Sequence, residues 1–213
     1  MIDFNNLPDK DKKPRLLDLF CGAGGAAMGY YRAGFEVVGV DIKPQPHYPF
    51  EFHLADALTY SLDGFDAYHA SPPCQAFTAM QHICKNSHNH PNLVEPIRKR
   101  LLDVGKPFII ENVVGAPVKI DLLLCGSMFG LRIIRHRIFE SNANLPFLTL
   151  SCHHDNVYDP WHKDGVRQRE KLSKAMGINW FMNRHEVREA IPPAYTEYIG
   201  KYLMQTIRKR NNT

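Results

Sequence analysis

The sequence predicts an α/β fold with a mainly parallel, twisted sheet and helices on both of its faces. Two observations support this prediction. Short apolar runs rich in β-branched residues alternate with segments of helical pattern, and a glycine-rich turn joins the first apolar run to the first helix. Alternation of this kind is typical of βαβ units, in which neighbouring strands are parallel. A chain of 213 residues, of which 44% are hydrophobic, is large enough for one compact domain.

The first half of the chain contains the clearest strands. The run "RLLDLF" at 15–20 predicts a buried strand, and "CGAGG" turns the chain into a helix at about 26–33. A second strand is predicted for "EVVGVD" at 36–41, which completes a βαβ unit, and a further strand for "FDAYHA" at 65–70.

The second half continues the alternation with longer intervals. The segment "NLVEPIRKRLLDVG" at 92–105 predicts a helix that ends at Gly105, and "PFIIENV" at 107–113 predicts the next strand. The remaining predicted elements are a strand, "RHRIFES", at 135–141, a helix near 166–176 and a final helix at about 196–208.

The composition favours a cytoplasmic globular protein. The longest apolar runs are far shorter than a membrane span, and the first residues lack the apolar core of a signal peptide. The cysteines are odd in number and form no CxxC pair, which argues against a disulfide framework. We expect a monomer without membrane association. Basic clusters at 10–15, 98–100, 132–137 and 208–210 permit contact with nucleic acid but do not require it.

The turn in "DLFCGAGG" is the first candidate binding element. Gly22, Gly24 and Gly25 would let the backbone approach a ligand at a helix N-terminus, and Asp41 ends the second strand, where a ribose would lie. The G-A-G-G spacing departs from the dinucleotide fingerprint GxGxxG, which favours a nucleoside-type cofactor such as S-adenosylmethionine (SAM). A tight connection without a ligand and a dinucleotide cofactor are the alternatives.

The second candidate is the cysteine in "HASPPCQAF" at 69–77. Cys74 follows a predicted strand, so we expect it at the same sheet edge as the glycine turn, where open parallel sheets bind ligands. Pro72 and Pro73 restrict the backbone directly before it. A thiol held in one place suits a nucleophile, whereas a small buried apolar side chain is the alternative reading.

The third candidate is the acid of "ENV" at 111–113. Glu111 interrupts the apolar run "PFII" near the end of the next strand, so it either faces solvent or shares a cleft with Cys74. Together the two side chains suit addition to an electron-poor ring. The thiolate adds to a ring carbon, and a carboxyl group that is protonated or shared with a ring nitrogen stabilises the developing charge.

Five segments in chain order, "DLFCGAGG", "SPPCQ", "ENV", "RHR" and "IPPAYTEYIG", resemble the motifs of the DNA (cytosine-5) methyltransferase family, over roughly residues 15–205. More narrowly, the chain is similar to small phage-encoded DNA methylases that share the last segment. The resemblance implies a Rossmann-like, SAM-dependent methyltransferase fold, duplex DNA as the partner and, for a phage-encoded enzyme, the cytoplasm of a bacterial host.

The resemblance also implies a mechanism. Cys74 would attack C6 of a cytosine flipped out of the duplex, Glu111 would engage N3 and the exocyclic amine, and C5 would take the methyl group from SAM. Arg135 and Arg137 match the family's alternating arginines, one of which helps to bind the target cytosine. Ile133 replaces the glutamine that the family carries two residues before the first arginine.

The cofactor site carries over in the same way. The resemblance places the glycine turn around the methionine part of SAM, Asp41 on the ribose, and Asp56 on the adenine amine, although Asp56 could instead cap a short helix. The expected cofactor-binding residues are Phe20, Gly22, Ala23, Gly24, Gly25, Asp41, Ile42, Asp56, Ala57, Pro73, Ala194 and Tyr195, the last two by position only.

The chain also departs from the family. Only about 45 residues, 142–186, stand where usual members have a long target-recognition region, so we expect little sequence selectivity. The expected division is a SAM-binding catalytic core at 1–141, a reduced recognition segment at 142–186 and a C-terminal helix at 187–213. The short segment leaves RNA cytosine-5 methylation open. A non-catalytic, SAM-dependent nucleic-acid-binding regulator is a second alternative.

Two segments rich in histidine and cysteine raise the question of a metal. They are "HICKNSHNH" at 82–90 and "SCHH" at 151–154, and neither has the paired spacing of a zinc finger. The ligand types that they offer are Cys84, His88, His90, Cys152, His153 and His154. We therefore expect no bound metal, and we assign the first segment to a loop that closes over the extruded base.

Overall fold

The structure, a computed structural model, describes residues 13–73, 92–146, 151–155 and 169–211, and the statements below refer to those residues. The strands are β1 (Arg15–Leu19), β2 (Glu36–Asp41), β3 (Glu51–Leu54), β4 (Ala67–Ala70), β5 (Phe108–Asn112), β6 (Leu122–Leu124) and β7 (Arg137–Ser141). The helices are α1 (Gly25–Arg32), α2 (Val94–Val104), α3 (Arg169–Ala175), α4 (Arg184–Glu189) and α5 (Pro193–Asn211), with a short 3-10 helix at Gly126–Phe129.

The strands form one sheet in the order β3-β2-β1-β4-β5-β7-β6. The pairs from β3 to β5 are parallel, whereas β7 runs antiparallel to both β5 and β6. The chain moves outward from β1 to β3 and then returns to the other side of β1 at β4. This reversal of strand order creates a crevice beyond the carboxyl ends of β1 and β4, where open α/β sheets bind ligands.

Helices cover both faces of this sheet. On one face, residues of α1 and α5 pack with Leu16 and Val37, and on the other, residues of α2 pack with Leu17 and Val38. Successive strand residues therefore point to opposite faces, and both faces are buried. The predicted fold, a mainly parallel sheet with helices on both faces, is confirmed.

Helices α1 and α5 approach each other closely because glycine leaves room at their contact. A Cβ on Gly29 would lie 2.0 Å from Oγ1 of Thr196 and 2.2 Å from the carbonyl oxygen of Pro193. The Thr196 hydroxyl donates to the carbonyl oxygen of Ala26, 2.8 Å away. The start of α5 is thereby fixed beside the turn that precedes α1. Within the described parts of the chain, no helix is both long and apolar enough to cross a membrane.

Among the described residues, β3, β6, α4 and the short 3-10 helix have no counterpart among the sequence predictions. β3 and β6 lie at the two edges of the sheet and have only 4 and 3 residues. Both are incompletely buried, so their hydrophobic periodicity is weak. α4 did carry a signal. The side chain of Asn183 accepts the amides of His185 and Glu186, and Glu186 reciprocates, which is the capping box that N-x-x-E encodes.

The segment at 169–189 packs against the loop that follows β1. Leu172 and Met176 share an apolar cluster with Ala23, and Nε1 of Trp180 donates to the Ala23 carbonyl oxygen at 3.3 Å. The described later part of the expected recognition segment therefore supports the glycine turn. The three-part division of the chain stays a prediction.

Candidate active site

The loop that follows β1 is held in an unusual conformation at the mouth of the crevice. Phe20 has a φ of +59°, which is rare for a bulky residue, and Gly22 has a φ of +50°. The amide of Cys21 donates to the Val40 carbonyl oxygen at 3.1 Å, and the amide of Gly22 donates to Oδ2 of Asp41 at 3.0 Å. The end of β2 thus fixes the backbone of the turn.

Different structural constraints act at the three glycines of this turn. A Cβ on Gly24 would lie 2.7 Å from the Pro49 ring, and one on Gly25 would lie 2.6 Å from the Ile191 carbonyl oxygen. A Cβ on Gly22 would meet no atom within 4 Å among the described residues. Close packing therefore accounts for Gly24 and Gly25, and Gly22 is the position where the backbone faces open space.

The end of β2 combines a carboxylate with an exposed apolar side chain. Oδ2 of Asp41 accepts the Gly22 amide, and Oδ1 accepts the Lys43 amide at 2.9 Å. Since a carboxylate has roughly four acceptor positions, Asp41 can organise the loop and still accept from other donors. Ile42 is 67% exposed, which offers apolar surface beside it.

Asp56 caps a turn rather than the short helix that was the alternative reading. Its Oδ1 accepts the Leu58 amide at 2.8 Å. The side chain of Arg100 holds the same turn by donating to the carbonyl oxygens of Ala57 and Tyr60, at 2.5 and 2.7 Å. Asp56 is exposed and the Ala57 side chain is buried, so Asp56 is the one with access to a ligand.

Two of the motifs meet where β4 and β5 end. Nδ2 of Asn112 donates to the Pro72 carbonyl oxygen at 3.0 Å in a buried position, and the Ser71 amide donates to the last carbonyl of β1. The backbone just before Cys74 is therefore fixed from both neighbouring strands. Pro73 is exposed. Cys74 lies outside the described residues.

Glu111 lies in β5 beside this anchored backbone and is 5% exposed. Its Oε1 is 2.9 Å from Nε of Arg137, and the Ser71 hydroxyl also bonds to its carboxylate. Burial raises the pKa of Glu111 above its ordinary value, and the charges of Arg137 and Arg135 together with the Ser71 hydrogen bond oppose that rise. The structure thus brings Glu111 and Arg137 together as a buried pair.

A chain of polar side chains leads from the core to Glu111. Tyr30 Oη lies 2.9 Å from Nδ1 of His69, and Nε2 of His69 lies 2.8 Å from Oγ of Ser71. Burial lowers the pKa of His69 to about 3, so its ring is neutral, and burial raises the pKa of Tyr30. In the tautomer whose Nδ1 accepts from Tyr30, Nε2 donates to Ser71, and the Ser71 proton is then free to bond to Glu111.

Arg135 anchors the start of β7 to the C-terminal helices. Its guanidinium donates to the carbonyl oxygens of Arg188 and Glu189, at 2.8 and 3.2 Å, near the end of α4. The Tyr195 hydroxyl donates to the Arg135 carbonyl oxygen at 2.6 Å. Arg135 therefore has a structural function as well as an influence on the charge of Glu111.

The expectation that Tyr195 lines the cofactor site needs correction. Its side chain is completely buried, and its ring packs against Phe129 and Phe139, with centroids 5.3 and 6.4 Å apart. Tyr195 is therefore a core residue: its ring packs against other aromatic rings, and its hydroxyl is used in the hydrogen bond to Arg135. Ala194, at the start of α5, is partly exposed.

Sequence reasoning missed one acid of this region. Asp18 is completely buried in β1, and its oxygens have no hydrogen-bond partner of ordinary geometry among the described residues. Burial raises the pKa of Asp18 well above its ordinary value, and the charges of Asp41 and Glu111 raise it further, which the amide of Ala27 offsets only in part. The signal was present, because an acid interrupts the apolar run "RLLDLF".

Neither a protein-family model nor a curated protein matches the sequence. Solved structures do match. A candidate DNA modification methyltransferase encoded within an E. coli prophage has a TM-score of 0.65 and 15% identity, over 92% of this chain and 100% of the other. A variant of Spodoptera frugiperda DNMT2 has a TM-score of 0.65 and 14% identity, over 90% and 100%. The S. pombe Dnmt2 methyltransferase has a TM-score of 0.62 and 14% identity, over 91% and 99%.

These similarities define the class of fold. The chain has the Rossmann-like fold of the methyltransferases, with the glycine turn, the acidic end of β2 and the Glu111–Arg137 pair at the same edge of the sheet. At such low identity the comparisons establish the fold alone, so the reaction has to be argued from the site.

Proposed function

We propose that this protein is a SAM-dependent methyltransferase that modifies C5 of cytosine in DNA. One observation carries the proposal: Asn112, at the end of β5, donates to the Pro72 carbonyl oxygen and so fixes the backbone two residues before Cys74, while the preceding residue, Glu111, is a buried carboxyl group in the same strand. A thiol and a carboxyl group that reach the same ring would suit covalent addition to it.

The proposed reaction begins with the thiolate of Cys74. It forms a bond to C6 of the cytosine, and the electron pair of the C5–C6 double bond moves to C5. C5 then takes the methyl group. Loss of the C5 proton and departure of the thiolate restore the double bond and free the enzyme. Because C6 cannot be reached inside the base stack, the cytosine has to be flipped out.

Glu111 acts on the other side of the ring in this proposal. Burial raises its pKa, which increases the fraction that carries a proton at neutral pH. A proton donated from Glu111 to N3 withdraws electrons from the ring and makes C6 more reactive. Arg137, at 2.9 Å, keeps the carboxyl group in a fixed orientation.

The crevice fits SAM, which supplies an electrophilic methyl group when it is bound. The open space at Gly22 admits a ligand against the backbone, Asp41 retains acceptor capacity for ribose hydroxyls, and Ile42 presents apolar surface to a flat ring. The cofactor carries a positively charged sulfonium group, which the carboxylate of Asp41 at the end of β2 would favour.

RNA cytosine is the second candidate substrate. The recognition segment at 142–186 is short, and its described later part packs against the glycine turn through Leu172 and Trp180. Little of that part is left to read base edges in a duplex groove, whereas a shaped RNA can be recognised through its backbone and an exposed base.

The experiment that tests the proposal uses 5-fluorocytosine in matched DNA and RNA oligonucleotides. Fluorine at C5 cannot leave as a proton does, so the covalent complex accumulates and survives a denaturing gel. We expect a SAM-dependent adduct on DNA with the wild type and with Cys84→Ser, and none with Cys74→Ser, which should bind SAM within a few-fold of the wild type.

Each other outcome has a definite meaning. An adduct on RNA alone would replace the DNA proposal with the RNA alternative. SAM binding without an adduct on either nucleic acid would contradict catalysis at Cys74 and favour the regulator. An adduct that persists in Cys74→Ser would place the nucleophile elsewhere.

A further inference from the structure

Two cysteines and two histidines come together at one end of the sheet, where β6 stops and β7 begins. The ligand-type atoms of Cys125, His136, Cys152 and His154 all lie within 4.8 Å of one another. Sγ of Cys125 is 3.6 Å from Nε2 of His154, and Sγ of Cys152 is 3.5 Å from Nε2 of His136. Each of these contacts pairs a sulfur with an imidazole nitrogen across the group.

These separations match the edges of a tetrahedral zinc site. With Zn–S at about 2.3 Å and Zn–N at about 2.0–2.1 Å, a sulfur and a nitrogen on the same ion are about 3.6 Å apart. Two thiolates and two imidazoles are also a donor set that structural zinc uses. Two of the separations in the cluster therefore already have the length that a shared zinc ion requires.

The fold explains why two of the four residues face each other. In the antiparallel register of β6 and β7, the outermost pair is Leu124 with Arg137. Cys125 directly follows Leu124 and His136 directly precedes Arg137, so continuing this register outward places Cys125 opposite His136. Residues directly opposite on antiparallel strands present their side chains to the same face. The sheet therefore supplies Cys125 and His136 from a rigid frame.

The other two residues come from the segment at 151–155. Cys152 and His154 are separated by His153, and they reach the cluster from a stretch with no regular secondary structure. Cys125 is buried, Cys152 and His136 are partly exposed, and His154 is exposed, so a metal can reach the site from solvent. The other histidine-rich segment, at 82–90, lies outside the described residues.

A hydroxyl group lies beside the sulfur of Cys125. The Ser127 hydroxyl donates to Sγ at 3.6 Å. A donor of this kind can hold a ligand sulfur in one orientation, as the groups around a metal site do for its ligands.

We propose that Cys125, His136, Cys152 and His154 bind one structural zinc ion. Binding releases the two cysteine protons, and four protein ligands leave no open position for catalysis. The ion ties the segment at 151–155, which belongs to the expected recognition segment, to the end of the sheet next to Arg135 and Arg137. This proposal does not depend on the methyltransferase reaction.

The test measures metal in the full chain purified without chelators. We expect about one zinc per chain by mass spectrometry of the elements. After exchange for cobalt, we expect the intense visible bands of a tetrahedral ion and a thiolate-to-cobalt charge-transfer band. Both measurements are made on the folded wild type, so they remain decisive if a variant fails to fold.

Variants identify the ligands. Cys152→Ser and His154→Ala should lose the zinc and the cobalt spectrum, whereas the neighbouring His153→Ala and the unrelated Cys84→Ser should keep both. Ser127→Ala should keep the ion with an affinity about 10-fold lower, because it removes only a hydrogen bond to a ligand.

Three results would overturn the zinc proposal. The first is folded wild-type protein that binds neither zinc nor cobalt. The second is retention of the ion in Cys152→Ser and His154→Ala. The third is a disulfide between Cys125 and Cys152 in freshly purified protein, detected by mass spectrometry of the intact chain without reductant.

Discussion

Glu111 shows how one buried side chain can be tuned by its neighbours. Burial raises its pKa, while the charge of Arg137 and the hydroxyl of Ser71 pull that pKa back. The balance keeps a carboxyl group that can hold a proton and remains fixed in direction by an ion pair of 2.9 Å. A glutamine of the same shape can accept a hydrogen bond but cannot deliver this proton.

We therefore predict that Glu111→Gln lowers the rate of methyl transfer by about 100-fold or more, the usual contribution of a positioned acid. SAM affinity should change only a few-fold, and single-turnover methylation with a SAM titration measures both. Glu36→Gln is the matched control, because Glu36 forms an ion pair of 2.9 Å with Arg15 at the surface. A Glu111→Gln rate within a few-fold of the wild type would contradict the assigned role.

The burial of Asp18 leads to a prediction of how the stability of the fold depends on pH. Because burial raises its pKa, the folded state holds the Asp18 proton more tightly than the unfolded state does. The folded state is then destabilised as the pH rises above the ordinary pKa of an aspartate, about 3.9. Asp18→Asn removes this effect.

The Asp18→Asn protein should have a higher Tm than the wild type at pH 7, and the difference should shrink as the pH falls toward 4. Thermal melts across this pH range measure it, and Asp103→Asn, in an exposed position of α2, serves as the control. A variant that is less stable than the wild type at pH 7 would show that the buried carboxylate is satisfied in a way that the amide cannot reproduce.

The connection after β4 is positioned by its neighbours. Asn112 at the end of β5 holds the Pro72 carbonyl oxygen, and the last carbonyl of β1 holds the Ser71 amide. Fixing a nucleophile before it reacts reduces the entropy lost on reaching the transition state. Pro72, Pro73 and the Asn112 hydrogen bond therefore restrict the backbone that leads to Cys74.

Asn112→Ala should therefore slow the formation of the 5-fluorocytosine adduct by about 10- to 100-fold with little effect on SAM binding. Asn142→Ala is the matched control. Asn142 makes the same kind of bonds at the other end of β5, where its side chain binds the Phe108 amide and the Lys106 carbonyl oxygen at 2.9 Å each. Equal slowing in both variants would mean that the effect is one of general stability.

Elements with a strong periodic pattern could be predicted from the sequence, and those without one could not. β2 has the predicted bounds, and α2 ends at Val104 with Gly105 as its C-cap, in a left-handed conformation that glycine favours. The final helix extends beyond its predicted bounds at both ends, to Pro193–Asn211. The edge strands β3 and β6 are too short to show a period.

Site residues could be predicted where they interrupt a local sequence pattern, as Glu111 does in an apolar strand. It was not predictable where distant residues meet. The polar chain from Tyr30 through His69 to Ser71 joins α1 to β4, and the zinc cluster joins β6 and β7 to the segment at 151–155. Such groups depend on strand order and register, which single-sequence patterns do not specify.

Several arginines of the basic clusters bind to other parts of the protein. Arg98 forms an ion pair of 2.7 Å with Glu140, and Arg100 donates to two carbonyl oxygens near Ala57. Arg137 is paired with Glu111. Much of the clustered charge therefore stabilises the fold, and the phosphate contacts that DNA binding requires have to come from other residues.

The central claim, methylation of cytosine C5 in DNA, is tested most directly in cells that lack their own cytosine methylases. DNA from cells that express the wild type or Cys74→Ser is treated with bisulfite and sequenced. We expect protected cytosines with the wild type alone, in varied sequence contexts because the recognition segment is short. Unprotected cytosines in both samples, with folded SAM-binding protein present, would contradict it for duplex DNA.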